Sequence, residues 1–207
     1  MSAEKKREEE DEKQNEQKYS KARKKNTSYT ESDIQVLEHI DAIRTRPGMY
    51  IGDTSTKGLH HLINEVVDNA VDEHIAGNCF NITIRLNPDD SVSISDDGAG
   101  IPVGMHEIGK PAVEVVFTVL HSGAKFGSAS SPYKATGGLH GVGVTAVNAV
   151  SEWMDVEVYR EGKIHEIKFS RGRVTEPLKV IGETDRTGTK VTFKPDPELF
   201  TETTFNY

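Results

Sequence analysis

The sequence predicts an α+β domain: a two-layer sandwich with helices on one face of a mixed, mainly antiparallel sheet. Three observations lead there. Apolar residues at helical spacing gather in the first half of the chain, and strand-like alternation fills the last third. The strand candidates also pair as hairpins, across the turns at 87–90 and 161–162.

Taken in order, Ser32 followed by Ile34, Val36, Leu37, Ile40 and Ile43 reads as a capped amphipathic helix that stops near Arg46-Pro47-Gly48. A second helix spans Gly58 to His74 and ends at Ala76-Gly77. Residues 80–86 and 91–96 alternate around Asn87-Pro88-Asp89-Asp90 and form a hairpin candidate. The run 111–120 reads as a helix, and a polar stretch from His121 to Gly138 leads into the short apolar segment 142–150. Strands are expected at 154–160 and 163–169 across the Glu161-Gly162 turn, and at 189–193 after Thr187-Gly188.

Residues 1–28 carry nine Lys/Arg and seven Asp/Glu with few apolar side chains, so a disordered tail is expected there and a folded domain over 29–207. The net charge of −8 then leaves −10 on residues 29–207, which argues against a nucleic-acid surface on this domain. No run approaches the roughly 20 apolar residues of a membrane span. One cysteine, Cys79, excludes an intramolecular disulfide and a multi-cysteine zinc site, and a cytoplasmic setting is expected.

Three segments can carry chemistry. On the second helix Leu59, Ile63, Val66, Val67 and Ala70 form one face, while His61, Glu65, Asn69, Asp72 and Glu73 gather opposite. That polar face reads either as a solvated surface or as a place where a carboxylate and an amide oxygen serve a water and a hard cation. Asp96-Asp97-Gly98-Ala99-Gly100-Ile101-Pro102 follows a strand, and is either a plain turn or a carboxylate acceptor beside a closely approachable backbone. Gly137-Gly138-Leu139-His140-Gly141-Val142-Gly143 precedes a short helix and suits a loop of amides aimed at phosphate, or a structural glycine loop. Lys125 and Lys134 flank it and are within chain reach of phosphate oxygens.

Three other patterns fail on chemistry. Gly104 to Lys110 has Walker spacing, but Pro111 stands where a magnesium-binding hydroxyl is needed. Gly141-Val142-Gly143 lacks the preceding buried strand of a dinucleotide fold. His39 lacks the long two-helix region that would precede a phospho-acceptor histidine.

Glu65-x-x-x-Asn69, Asp96-x-Gly98-x-Gly100 and Gly138-Leu-His-Gly-Val-Gly143, in that order, resemble the boxes of the GHKL (Bergerat-fold) ATPases. The longer strings Arg46-Pro-Gly-Met-Tyr-Ile-Gly52, Glu65-Val-Val-Asp-Asn-Ala70, Gly137 to Val144 and Thr187-Gly-Thr189 resemble type II topoisomerases, the gyrase B family above all. The resemblance implies ATP and Mg2+ as ligands, Glu65 as general base with His61 orienting it, and Asn69 as the magnesium ligand. It implies Asp96 and Thr189 on the adenine edge, with Glu73 and the Gly98–Gly100 turn close by and Ile101 and Pro102 bordering the pocket. It places Gly138, Leu139, His140, Gly141, Val142 and Gly143 around the phosphates, and Lys125, Tyr133 and Lys134 on a lid. Arg160 would lie at an outer rim where aminocoumarins bind, and Tyr29 would enter the nucleotide site of a second copy, with Ile34 in the dimer contact. Implied partners are a second gyrase B chain, gyrase A, and DNA through other domains, for an ATP-operated clamp that drives negative supercoiling. The same motifs serve topoisomerase IV, and a nucleotide-dependent dimerisation switch that never hydrolyses is the reading from another class.

Two departures carry expectations. The gyrase pattern has arginine where this chain has Ala99, and an arginine there can pair with Glu73 and flank the purine. The sequence also stops before the transducer domain whose lysine reaches the γ-phosphate, so tight ATP binding with slow turnover is expected.

Overall fold

The computed structural model describes residues 39–120 and 143–205. The tail over 1–28, the Ser32 cap, Tyr29, Ile34, Lys125, Tyr133, Lys134 and Gly138 to Val142 lie outside the described residues.

Helix α1 (His39–Thr45) stops ahead of Pro47, and a single further turn, α2 (Gly48–Ile51), follows it. Proline fixes the local backbone and disfavours helix in the residue before it, so the two segments do not merge. Helix α3 (Thr56–Ile75) is the main helix. The Ser55 side chain accepts a hydrogen bond from Lys57 N–H at its start, and Asp53 Oδ1 accepts from the amides of Ser55 and Gly58. Gly58 is required there, because a Cβ would overlap the Asp53 carbonyl. At the far end Gly77 takes φ +81° and donates to the His74 carbonyl, which ends the helix at the expected Ala76-Gly77.

The hairpin forms as expected, from β1 (Ile82–Leu86) and β2 (Val92–Asp96). Helix α4 (Ala112–Thr118) starts directly after Pro111, and helix α5 (Gly143–Ala149) leads straight into the remaining strands. These are β3 (Ser151–Arg160), β4 (Lys163–Ser170), β5 (Arg173–Glu183) and β6 (Gly188–Pro195). The sheet order is β1-β2-β6-β3-β4-β5, and every pairing among the described residues is antiparallel.

Alternation along each strand divides the sheet into two chemistries. Val156 lies opposite both Val191 and Ile167, and Met154 opposite Phe193 and Phe169; all six are buried. Against them pack Ile43 of α1, Leu59, Leu62 and Val66 of α3, Phe117 of α4 and Val147 of α5. The intervening residues face the other way and include polar pairs: Ser93 and Thr192 share a hydroxyl bond of 3.0 Å, and Lys190 meets Glu157 at 2.6 Å. The apolar layer holds α3 and α5 against the sheet, and the site described next lies where these helices meet the ends of β2, β3 and β6.

Strand β5 is not signalled by the sequence. It contains Pro177 and Gly182, and its pairing with β4 shifts register between Glu166 and Lys168, opposite the proline. Proline is tolerated on an edge strand or at such an irregularity, and β5 is an edge.

A candidate nucleotide site between helix α3 and the strand ends

The polar face of α3 is turned towards other parts of the chain. His61, Glu65, Asn69 and Glu73 recur every fourth residue and so line one side of the helix. His61 Nε2 lies 3.1 Å from Glu65 Oε1, an arrangement that fixes the carboxylate. The Asn69 amide donates back to the Glu65 carbonyl at 3.5 Å. Asp72, expected among the polar residues, is instead fully buried. The polar side of α3 is packed against other segments at Glu65 and Glu73, so it is not simply a solvated face.

Gly143 abuts Glu65 so closely that a Cβ on it would overlap Glu65 Oε2. The first residue of α5 therefore brings the end of the glycine-rich segment to the α3 carboxylate, two regions 78 positions apart in the sequence.

Asp96 ends β2, and its Oδ1 accepts from Gly98 N–H at 2.8 Å and Thr189 N–H at 3.3 Å. Burial pushes its carboxyl above the ordinary carboxylate range, with those two amide bonds pulling the other way. Asp97 does the opposite job. It accepts from Phe80 N–H at 2.7 Å, Asn81 N–H at 2.8 Å and the Asn81 side chain at 2.7 Å, and the bonds from Asn81 and Phe80 hold its carboxyl far below the usual range. The neighbouring acids thus divide into a desolvated acceptor facing the site and a structural tie that closes the start of β1 onto the end of β2.

The turn after them is held through its backbone. Gly100 takes φ +75°, and a Cβ there would lie 2.9 Å from the Tyr159 carbonyl and 3.0 Å from that of Gly188. Ile101 N–H donates to Thr189 Oγ1 at 3.4 Å, and Ile101 packs at the margin of the core. Pro102 follows it directly in the chain. Glu73, which an arginine at position 99 would pair in the gyrase pattern, here accepts from the Ala99 backbone N–H at 3.2 Å and from Asn78 Nδ2 at 3.3 Å. Arg160 Nη1 donates to the carbonyls of Ala99 at 3.2 Å and Gly100 at 2.7 Å. Nothing in the sequence marks the roles of Asn78 and Asp97, because these depend on which backbone groups the fold brings to them.

The site therefore gathers His61, Glu65, Asn69, Glu73, Asp96, Gly98, Gly100, Ile101, Gly143, Arg160 and Thr189 on adjoining elements. The stretch with Walker spacing is a turn closed by a bridge between Met105 and Pro111, immediately before α4. Among the described residues no helix is long and apolar enough to cross a membrane.

The sequence and the fold are similar to those of known proteins. Residues 54–199 match the model of the histidine kinase-, DNA gyrase B-, and HSP90-like ATPase family. The chain is 58% identical over 182 residues to DNA gyrase B of Halalkalibacterium halodurans, covering 87% of this chain and 28% of that protein. It is 59% identical over 176 residues to DNA gyrase B of Thermus thermophilus, covering 84% and 27%. Among solved structures, the 43K ATPase domain of Thermus thermophilus gyrase B, in complex with an aminocoumarin, superposes with a TM-score of 0.71 at 51% identity, over 82% of this chain and 42% of that one. The chain thus spans under a third of the length of these full gyrase B proteins. It belongs to the family of histidine kinase-, DNA gyrase B-, and HSP90-like ATPases.

Proposed function

We propose that this domain binds and hydrolyses ATP as the nucleotide-operated part of a gyrase B protein. The observation that carries the reading is the joint placement of Asp96, desolvated beside Gly98 and Thr189, and Glu65, held by His61 against Gly143. One end of this site suits a purine and the other suits hydrolytic chemistry.

Asp96 is an acceptor-only group when ionised. Its Oδ1 is committed to two backbone amides, which leaves Oδ2 as the oxygen to accept from the adenine amino group. Guanine has an oxygen at that position and would face the carboxylate with no proton between them, which supports selectivity for adenine. Thr189, Gly98 and Gly100 shape the same edge, with Ile101 and Pro102 bordering the base. Glu65 takes the proton of the attacking water, and His61 orients the carboxylate while it does so. The family resemblance assigns the phosphates to the backbone amides of Gly138 to Gly143 and to Lys125, Tyr133 and Lys134.

Asn69 fits the role of magnesium ligand. Its amide nitrogen is turned back to the Glu65 carbonyl, so it presents a carbonyl oxygen, a hard donor. Among the described residues no group of three or more His, Cys, Asp or Glu side chains forms a cage for a metal. Mg2+ is commonly held by one or two protein oxygens together with substrate phosphates and water, and when bound it neutralises charge on the triphosphate.

The gyrase relatives support the wider reading: an ATP-dependent dimer clamp closed through the N-terminal arm with Tyr29, working with gyrase A on DNA held by other domains in the cytoplasm. They favour gyrase over topoisomerase IV. Glu65 beside His61 favours hydrolysis over a binding-only switch.

Calorimetry with a non-hydrolysable ATP analogue and Mg2+ tests the purine end. Asp96→Asn is expected to weaken binding at least about tenfold, near 1.4 kcal/mol. Its effect on stability has the opposite sense. A carboxyl whose native pKa is raised contributes stability only below its ordinary value, and loses it as pH rises through the native value. Above its raised native pKa the ionised Asp96 is therefore a burden on the fold, and there Asp96→Asn is expected to melt no lower than wild type. Unchanged affinity in this variant would remove Asp96 from the purine site.

A further inference from the structure

We propose that Arg160 is a positioning residue of the purine site, acting through the backbone of the Gly98–Gly100 turn. This rests on the adenine-nucleotide reading above and adds the means by which the turn is kept in place.

Asp96 can meet a base only if the turn after it holds its shape, and that turn has little side-chain substance of its own. Gly98 and Gly100 have none, and Ala99 has a single methyl. Gly100 also lies in the left-handed region, where glycine has wide freedom. Three external contacts compensate. Asp96 Oδ1 takes the Gly98 amide, Glu73 takes the Ala99 amide, and Arg160 Nη1 bridges the Ala99 and Gly100 carbonyls. The turn is gripped at its amides by the ends of β2 and α3, and at its carbonyls by the end of β3.

Arg160 is well placed for this. It is the last residue of β3, one step from the tight turn in which Glu161 and Gly162 both take positive φ. Its Nε lies 3.5 Å from Glu161 Oε1, which steadies the guanidinium, and its side chain remains about a third exposed at 32%. A charged donor to a backbone carbonyl is among the stronger hydrogen bonds. The grip runs entirely through main-chain atoms of residue 99, so it is compatible with the small Ala99 side chain.

Binding of adenosine and of ADP to wild type, Arg160→Ala and Arg160→Lys, measured by calorimetry, separates this role from attraction between the arginine and phosphate. Adenosine carries no phosphate, so a positioning residue affects both ligands alike. Arg160→Ala is expected to lose about tenfold in affinity for each, with a melting temperature lower by only a few degrees because the side chain sits at the rim. Arg160→Lys keeps the charge on a differently shaped head and is expected to recover only part of the loss. Amide hydrogen exchange at Ala99 and Ile101 is expected to speed up in Arg160→Ala without ligand. A loss confined to ADP, full affinity in Arg160→Lys, or no loss in Arg160→Ala would each overturn the inference while leaving the purine site intact. Failure of wild type to bind either ligand would overturn the proposed function and this inference together.

Discussion

Glu65→Gln is expected to reduce ATP hydrolysis by about 10²–10⁴-fold while leaving nucleotide affinity within a few-fold of wild type. Glutamine preserves the length of the side chain and a polar contact for His61, which lies 3.1 Å from Glu65 Oε1, but cannot accept a proton from water at neutral pH. The loss should therefore lie in the chemical step. His61→Ala is expected to do less, about tenfold, because the imidazole acts through the carboxylate it orients. Release of labelled phosphate, followed with enzyme in excess of ATP, measures both even where turnover is slow. Calorimetry with the non-hydrolysable analogue confirms that the site is still filled. Hydrolysis at the wild-type rate in Glu65→Gln would remove Glu65 as the base and leave the binding-only switch as the better reading.

The main helix and the first hairpin are legible in the sequence because their signals are local. The apolar spacing from Leu59 to Ala70, the Ala76-Gly77 stop and the Asn87-Pro88-Asp89-Asp90 turn each act within a few residues of where they are written. Strand β5 is not legible, since Pro177 and Gly182 are breakers in isolation and are tolerated only because β5 is an edge with shifted register. The site divides along the same line. Asp96, Glu65 and Asn69 stand out through their motifs. What holds them does not: the Thr189 amide reaches Asp96 from 93 positions away, and the Arg160 guanidinium reaches Gly100 from 60. Asp96 and Asp97 illustrate the limit, because adjacent identical residues receive opposite electrostatic fates from neighbours that only the folded chain supplies. The contrast between Ala99 and the arginine of the gyrase pattern resolves similarly, with Glu73 taking the Ala99 backbone N–H as partner.

The second large effect is expected far from the chemistry, at Asp196. Its side chain is fully buried just past the end of β6, and its Oδ2 lies 2.8 Å from Arg44 Nη2 and 3.0 Å from Arg171 Nε. Oδ1 accepts from Glu198 N–H at 3.0 Å. The Arg44 guanidinium also donates to the Ala149 carbonyl at 2.8 Å, while the Asp196 amide donates to that of Val150 at 3.0 Å. One carboxylate thus joins α1, the end of α5, the β4–β5 turn and the end of β6. Removing it leaves the largely buried Arg44 charge with only the exposed Glu198 carboxylate, 3.9 Å away, and breaking a buried pair of this kind typically costs about 3–5 kcal/mol. For a domain of this size that corresponds to a melting temperature lower by roughly 10 °C. Asp196→Ala is expected to show that loss in thermal denaturation. Asp196→Asn, which keeps the acceptor for Glu198 N–H and removes only the charge, should fall between it and wild type. Arg171 is nearly half exposed, and its second partner, Glu198, is more so. Arg171→Ala should therefore lose much less, because water can replace it around the rim of the cluster. The end of α5 tied by this cluster lies two turns from Gly143, so loosening it is also expected to weaken hydrolysis before the domain unfolds. A melting temperature for Asp196→Ala within about 2 °C of wild type would show that α1, α5 and the sheet are held together by the apolar core alone.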